Sequence, residues 1–402
     1  MKRLLMIPLV LLLAILGVEG WLRATSDYRP QPSYMLKPGV GFVFDPASAP
    51  GQINGMGFID KERAPAAPAG ERVLLLGDSF VSGTSLALRL EEQLSKTLGK
   101  PVEVIPMGFP GIGLGGMLAF YETYGHAFSP KAVIAVFNSS TFANNSPLLT
   151  AIKLRLEPDR PCVPGAVALP GGSCLRLVAN ADCTRDLTPD LEVHRRPSLG
   201  SHLDAALEKV LRHSFAYGWL KDMVSRDDPE GYAAEDHQYT YRLARLRGRA
   251  EWSKAFEGWA FPRDLDVNMM FWTPQEDMPL AFRQAVADTG CLLEGLAAET
   301  GKDGAAFMLV VSDDCTTPTS GMRREFELRN QQVKRTFEEA GYLKKVQGIA
   351  SARGIALVDL APGLRSVSDK AHPYNDIHLT DAGNVAAADS IAKALVAQGF
   401  GR

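Results

Sequence analysis

Arg72-Val73-Leu74-Leu75-Leu76-Gly77-Asp78-Ser79-Phe80 reads as an apolar run that stops on a glycine followed by a reactive side chain. A short apolar run bounded by turn residues suits a strand buried on both faces, as strands of parallel sheets are. Just beyond it, leucines at 86, 90, 94 and 98 form one stripe of a helix over residues 85–98, and Gly99 supplies its stop. A strand that runs into Gly-Asp-Ser and then a helix puts the Ser79 hydroxyl at the carboxyl edge of a parallel sheet, where α/β folds keep their sites.

The same alternation continues outward. Strands are expected at 102–106 and 132–137. After Phe142-Ala143-Asn144-Asn145 the rhythm breaks, then returns with a helix over 280–299, strands at 306–311 and 356–358, and a last helix over 381–397. Five strands alternating with helices imply an α/β fold: a three-layer α/β/α sandwich with a five-stranded parallel sheet. Residues 71–146 and 280–402 form this core domain, and 147–279 are an insertion between strands 3 and 4. Such an insertion should rise over the carboxyl edge where Ser79 lies. Residues 25–70, rich in Pro, Gly and Ala, read as an extended lead-in.

Asn375-Asp376-Ile377-His378-Leu379-Thr380 supplies what Ser79 lacks. A serine is a poor nucleophile until an imidazole takes its proton. Asp376 and His378, two positions apart in an extended loop, can present that base and the carboxylate that orients it. Thr380 suits the cap of the helix that follows. Of the seven histidines, His372 is the rival base, but it precedes Pro373 and has no such context. The bland reading of Ser79 is a helix cap.

The ordered set resembles the SGNH (GDSL-type) hydrolases. Within them it is similar to the membrane-anchored branch that includes alginate O-acetyltransferase-like proteins. The resemblance rests on Asn54-Gly55-Met56-Gly57-Phe58, the Ser79 motif, Met107-Gly108-Phe109-Pro110-Gly111-Ile112-Gly113, and the ending from Asp376 to Asn384. Many relatives have Asp-x-x-His; the Asp-x-His spacing here also occurs in the alginate-acetylating branch. The resemblance implies an oxyanion hole built on the N–H groups of Ser79 and Gly111. The family's third donor is the Asn of a Gly-x-Asn-Asp block, and here the chain departs from the pattern. Ser140-Thr141 occupy that place and Asn138 stands two residues earlier, so Ser140 donates, or Asn138 does, or the third donor is missing.

Composition narrows the partners. The chain has 402 residues, 46% hydrophobic and 22% charged, with a net charge of −3. That is ordinary for a globular protein and offers no basic field for nucleic acid. Met1-Lys2-Arg3 precedes the uncharged run 4–18, so the body is expected outside the cytoplasm, periplasmic or extracellular. Residues 1–24 then form an uncleaved membrane anchor or, alternatively, a cleaved signal that releases a secreted protein. Cys162, Cys174, Cys183, Cys291 and Cys315 permit disulfides in an exported chain; no ligand spacing supports zinc, and no metal is called for. Gly111-x-Gly113-x-x-Gly116 matches a dinucleotide fingerprint formally, but the next strand ends Val136-Phe137-Asn138 with no acidic residue for a ribose. No cofactor is expected.

Two classes of function follow. One is an exported serine acyl-ester enzyme, an O-acetyltransferase or esterase acting on a cell-envelope or secreted glycan, with a membrane acyl-transfer protein as a compatible partner. In it, Tyr239, Tyr241, Arg245, Arg247, Arg249, Trp252 and Trp259 of the insertion form either a sugar-facing lid or ordinary core and solvated surface. The other is a catalytically degenerate member of the fold that binds glycan or assists envelope assembly.

Overall fold

The computed structural model describes residues 17, 21, 32, 34–37, 40–65, 70–145, 165–168, 174–177, 271–278, 280–312, 338, 341–367, 374–375 and 378–401. The chain divides into two units, Met1–Ser33 with Glu192–Tyr239, and Tyr34–Leu191 with Thr240–Arg402. Nearly every described residue belongs to the second unit. The apolar N-terminal run lies outside the described residues except at Gly17, and among the described residues no helix is long and apolar enough to cross a membrane. The expected helix near residues 201–224, the aromatic and basic residues of the insertion, and Cys162, Cys183 and Cys315 also lie outside them. Cys291 is disulfide-bonded.

The core is the expected sandwich. Strands β3 (Glu71–Gly77), β4 (Val102–Gly108), β5 (Ala132–Phe137), β8 (Ala306–Val311) and β9 (Ala356–Asp359) form one sheet in the order β4-β3-β5-β8-β9, every pairing parallel. Side chains alternate between its faces. Val73, Leu75, Val104, Ile134, Val136, Met308 and Val310 pack in one cluster with helix α1 (Leu86–Leu98), α6 (Ala361–Arg365) and α7 (Asp381–Ala397). Helices α2 (Leu114–Thr123), α4 (Leu280–Lys302) and α5 (Gly341–Ala352) pack against the strands otherwise, and the short α3 (Ser139–Asn145) packs against α2 and α4. Burial on both faces is why β3 reads as a continuous apolar run rather than an alternating one.

From β3 the chain steps to β4 on one side, then back across to β5 on the other. The crevice at that reversal, at the carboxyl ends of β3 and β5, is where open α/β sheets bind ligands. Ser79 follows β3 by two residues.

A sheet edge presents unpaired backbone groups that invite aggregation unless covered. Here β4 is an edge strand, and its groups are taken by side chains. The Val102 N–H donates to Ser95 Oγ at 3.0 Å and the Val104 N–H to Glu91 Oε2 at 2.9 Å, both on α1, while Arg63 Nη2 donates to the Val104 carbonyl at 3.1 Å. Glu103 on the same strand pairs with buried Arg63 at 3.0 Å and buried Arg72 at 2.7 Å. Arg72 in turn donates to the carbonyls of Ala64, Pro65 and Phe128. These bonds fasten the lead-in to the sheet.

The described part of the lead-in is folded rather than extended. β1 (Tyr34–Lys37) and β2 (Gly41–Phe44) form an antiparallel pair. Buried Asn54 then accepts three backbone N–H groups, from Met56, Gly57 and Phe58, each at 3.1 Å. Gly57 has φ +94°, and a Cβ there would sit 2.6 Å from Val43, so only glycine fits this turn. Phe58 packs edge-on against Phe120 of α2.

Within the insertion, β6 (Gly165–Ala168) and β7 (Cys174–Leu177) pair antiparallel, and β6 lies against α4.

Candidate active site

The nucleophile motif does not run directly into a helix as the sequence suggests. Residues 79–84 form a turn, and α1 starts at Leu86. The turn folds back on its own strand: the N–H groups of Val81 and Ser82 donate to the Asp78 carbonyl at 3.0 and 2.9 Å, and the Phe80 N–H donates to Asp78 Oδ1 at 3.0 Å. Two strand-end glycines make room for it. A Cβ on Gly77 would meet Val81 Cγ2 at 2.3 Å, and one on Gly108 would meet the Ser82 backbone nitrogen at 2.7 Å. Ser79 is left partly exposed on the turn, with Asp78 buried behind it at 2% exposure.

His378 reaches Ser79 from the far end of the chain. Its Nε2 lies 2.9 Å from Ser79 Oγ. It starts the short strand β11 (His378–Leu379), paired antiparallel with β10 (Tyr374–Asn375) through Asn375 and His378. Leu379 is buried in the core cluster and Thr380 Oγ1 accepts the Gly383 N–H at 3.2 Å to cap α7. The imidazole is thus gripped on its C-terminal side by packing and by the expected helix cap. The Phe80 ring sits 5.5 Å from the imidazole. Asp376 joins β10 to β11 and, like His372, lies outside the described residues.

The third block is closed on itself. Asn138, buried at 3% exposure, donates through Nδ2 to Asp78 Oδ2 at 2.7 Å. Its Oδ1 accepts from the Ser140 N–H at 3.0 Å, the Ser140 hydroxyl at 2.6 Å and the Thr141 hydroxyl at 3.3 Å. Both side chains considered for the oxyanion are therefore bonded to protein partners: Ser140 to Asn138, and Asn138 to Asp78. Burial pushes the Asp78 carboxyl above the usual carboxylate range, against the opposite pull of the Phe80 N–H, the Asn138 amide and the His378 charge. The link between Asp78 and Asn138 is the feature that sequence reading missed; two polar residues at the ends of adjacent strands are its signal.

The backbone donors stand differently. Among the described residues, neither the Ser79 N–H nor the Gly111 N–H has a hydrogen-bond partner. They follow neighbouring strands β3 and β4, whose ends are tied by the Phe109 N–H donating to the Gly77 carbonyl at 3.1 Å. Gly111 has φ +74°, a turn that favours glycine. The other glycines of that block serve packing. A Cβ on Gly113 would strike Asn145 Oδ1 at 2.4 Å, and that same oxygen accepts the Leu114 N–H at 2.6 Å. The start of α2 is thus occupied by protein, which removes the phosphate cradle that a dinucleotide fingerprint requires.

A separate groove of about 510 Å³ runs between α4 and α5, lined by Arg283, Gly290, Lys344, Lys345 and Arg353 among others; neither Ser79 nor His378 lines it. Lys345 Nζ donates to the carbonyls of Phe271, Thr273 and Gly341, and burial lowers its pKa to about 8.

No family model and no curated protein matches the chain. Among solved structures it is similar to a lipase/acylhydrolase from Enterococcus faecalis, with 12% identity, 82% of this chain and 96% of that one covered, and a TM-score of 0.35. It is similar as well to a catalytic mutant of an acetylxylan esterase from Geobacillus stearothermophilus, with 13% identity, 83% and 96% covered, and a TM-score of 0.35. A GDSL-like lipase from Bacteroides thetaiotaomicron has 10% identity, 84% and 93% covered, and a TM-score of 0.32. Likenesses this distant leave the reading of the site to its own geometry.

Proposed function

We propose that the chain is a serine acyl-ester enzyme, an esterase or O-acetyltransferase that acts outside the cytoplasm on a cell-envelope or secreted glycan. The observation that carries this reading is the 2.9 Å contact between His378 Nε2 and Ser79 Oγ at the reversal point of the sheet. The two groups are within the reach that proton transfer requires.

In the reaction, Ser79 Oγ attacks the ester carbonyl carbon as His378 Nε2 takes the hydroxyl proton. The carbonyl π pair moves onto oxygen, where the N–H groups of Ser79 and Gly111 receive it. Collapse of the tetrahedral species breaks the bond to the alcohol, which leaves with the proton held on His378. Water or a sugar hydroxyl then gives its proton to His378 and attacks the acyl-enzyme carbonyl; as the acyl–Oγ bond breaks, His378 returns that proton to Ser79 Oγ, which regenerates the free enzyme. Asp376 orients the imidazole and stabilises its charged form. Water as acceptor makes the enzyme an esterase; a glycan hydroxyl makes it a transferase.

The glycan substrate, a membrane acyl-transfer partner and anchorage through residues 4–22 rest on the sequence: the Lys2-Arg3 flank, the apolar run and the likeness to the alginate-acetylating branch. A second reading, a glycan-binding or envelope-assembly protein without catalysis, draws support from the third block. With Ser140 and Asn138 bonded to protein partners, neither of the two side chains considered for the third donor is free among the described residues, and one missing donor lowers the rate roughly 10²–10³-fold.

Turnover of p-nitrophenyl acetate by purified protein tests the proposal. Ser79→Ala and His378→Ala should each lower kcat at least about 10³-fold while the circular dichroism spectrum stays native. Asp376→Asn should retain more activity than Ser79→Ala. Wild-type turnover by a folded Ser79→Ala protein contradicts the nucleophile assignment.

A further inference from the structure

Ser79 and His378 come from opposite ends of the chain, so the 2.9 Å between them is only as constant as the fit of the segments that carry them. The nucleophile turn leads to Ser85, at the cap of α1, and His378 leads to Asp381, the first residue of α7. A serine at a helix cap ordinarily accepts an N–H of its own helix. Ser85 makes no such bond, and its hydroxyl is turned to the other helix instead. It donates to Asp381 Oδ1 at 2.6 Å and accepts from Asn384 Nδ2 at 3.2 Å. Asn384 is buried at 3% exposure, and the same amide nitrogen lies 3.5 Å from the carbonyl of Leu379, the residue next to His378. Arg89, one turn into α1, adds Nε at 3.1 Å and Nη2 at 3.0 Å to the two oxygens of Asp381. That outer pair is exposed and contributes little. The half-buried hydroxyl and the buried amide lie inside it, where water competes less.

Resting on the proposed serine mechanism, we infer that Ser85 and Asn384 are positioning residues: they latch the start of α1 to the start of α7 and so set how His378 Nε2 meets Ser79 Oγ. They act through those two side chains rather than on the substrate. Proton transfer is sensitive to such placement, since an error of about 1 Å can cost roughly 10²-fold in rate. The helices themselves stay packed through Leu90, Leu94, Ala388 and Ile391 of the core. Loss of the latch should therefore loosen the alignment and leave the sandwich folded.

A control lies in the same pair of helices. Gln93 Nε2 donates to Asp389 Oδ1 at 3.1 Å, about two turns farther along α1 from the site. Ser85→Ala removes both bonds of the hydroxyl, Ser85→Thr keeps the hydroxyl, and Gln93→Ala breaks only the distant bond. For each variant, thermal unfolding, kcat and KM on p-nitrophenyl acetate, and the second-order rate of Ser79 labelling by a fluorophosphonate are measured. Labelling is measured again for Ser85→Ala in a His378→Ala background.

Ser85→Ala should fold, slow labelling and kcat roughly tenfold, and leave KM unchanged. Ser85→Thr should recover most of the rate, and Gln93→Ala should label as wild type. Without His378 there is no alignment to lose, so Ser85→Ala should then cost nothing further. Wild-type labelling by Ser85→Ala overturns the inference. So does an equal slowing with and without His378, or an equal slowing in Gln93→Ala, because the bond would then be only a brace between helices. Asn384→Ala breaks the buried half of the latch and gives an independent reading; a folded protein that labels at the wild-type rate overturns the inference equally. A wild-type protein that takes no label at Ser79 contradicts the serine mechanism and this inference with it, whereas a labelled wild type with unslowed variants contradicts the inference alone.

Discussion

Asn138→Ala separates two roles that one residue could have. In the structure its side chain braces Asp78 rather than pointing a free donor at substrate, so its removal should act first on stability. The deletion takes the 2.7 Å amide hydrogen bond from a carboxylate exposed at 2%. A hydrogen bond to a charged group contributes about 1.5–3 kcal/mol, and leaving buried donors unpaired adds about 1–3 kcal/mol. The Thr141 hydroxyl, fully buried, loses one acceptor, and the half-buried Ser140 groups can turn to water. The expected loss is therefore about 3–5 kcal/mol, read from urea unfolding followed by tryptophan fluorescence. Ser140→Ala removes one of three donors to Asn138 and should cost about 1 kcal/mol. An Asn138→Ala protein that unfolds with wild-type stability but loses roughly 10²–10³ in kcat would refute this reasoning and make Asn138 the oxyanion donor.

Gly108→Ala would push a methyl to 2.7 Å from the Ser82 nitrogen, so the nucleophile turn must shift. Stability should fall by roughly 1–3 kcal/mol and kcat/KM on the order of 10²-fold, and unchanged kinetics would mean that the turn does not set the position of Ser79. Lys345 has its pKa lowered to about 8 by burial, below its ordinary value of 10.5. Between those values the unfolded chain binds more protons than the folded one, so unfolding free energy should rise as pH increases from about 8 to about 10.5. Lys345→Met should flatten that rise, and an equal slope in the variant would place its origin elsewhere.

The strands and their order of appearance are legible because a two-sided parallel sheet leaves a plain mark: apolar runs such as Val73 to Leu76 and Ala132 to Phe137. The α1 stripe with its Gly99 stop and α7 behind Thr380 are equally local, set by period and cap chemistry. Ser79, two residues past β3, and His378, which begins β11, come from motifs nearly three hundred residues apart and meet at 2.9 Å. What escapes the sequence depends on distance in the chain. The turn over 79–84 exists because Gly108, on another strand, has no side chain. Asn138 looks like a free donor until Asp78, sixty residues earlier, takes its amide. The folding of the lead-in hangs on Arg63 and Arg72 finding Glu103, and pairings between distant charges leave no periodic trace.

The central claim is that Ser79 is a nucleophile activated by His378. The direct measurement is covalent labelling of purified protein with a fluorophosphonate, followed by mass spectrometry of the labelled peptide. One adduct should form on Ser79 at neutral pH, disappear in Ser79→Ala, and form far more slowly in His378→Ala. A native protein that takes up no label, or labels elsewhere and equally well without His378, contradicts the claim.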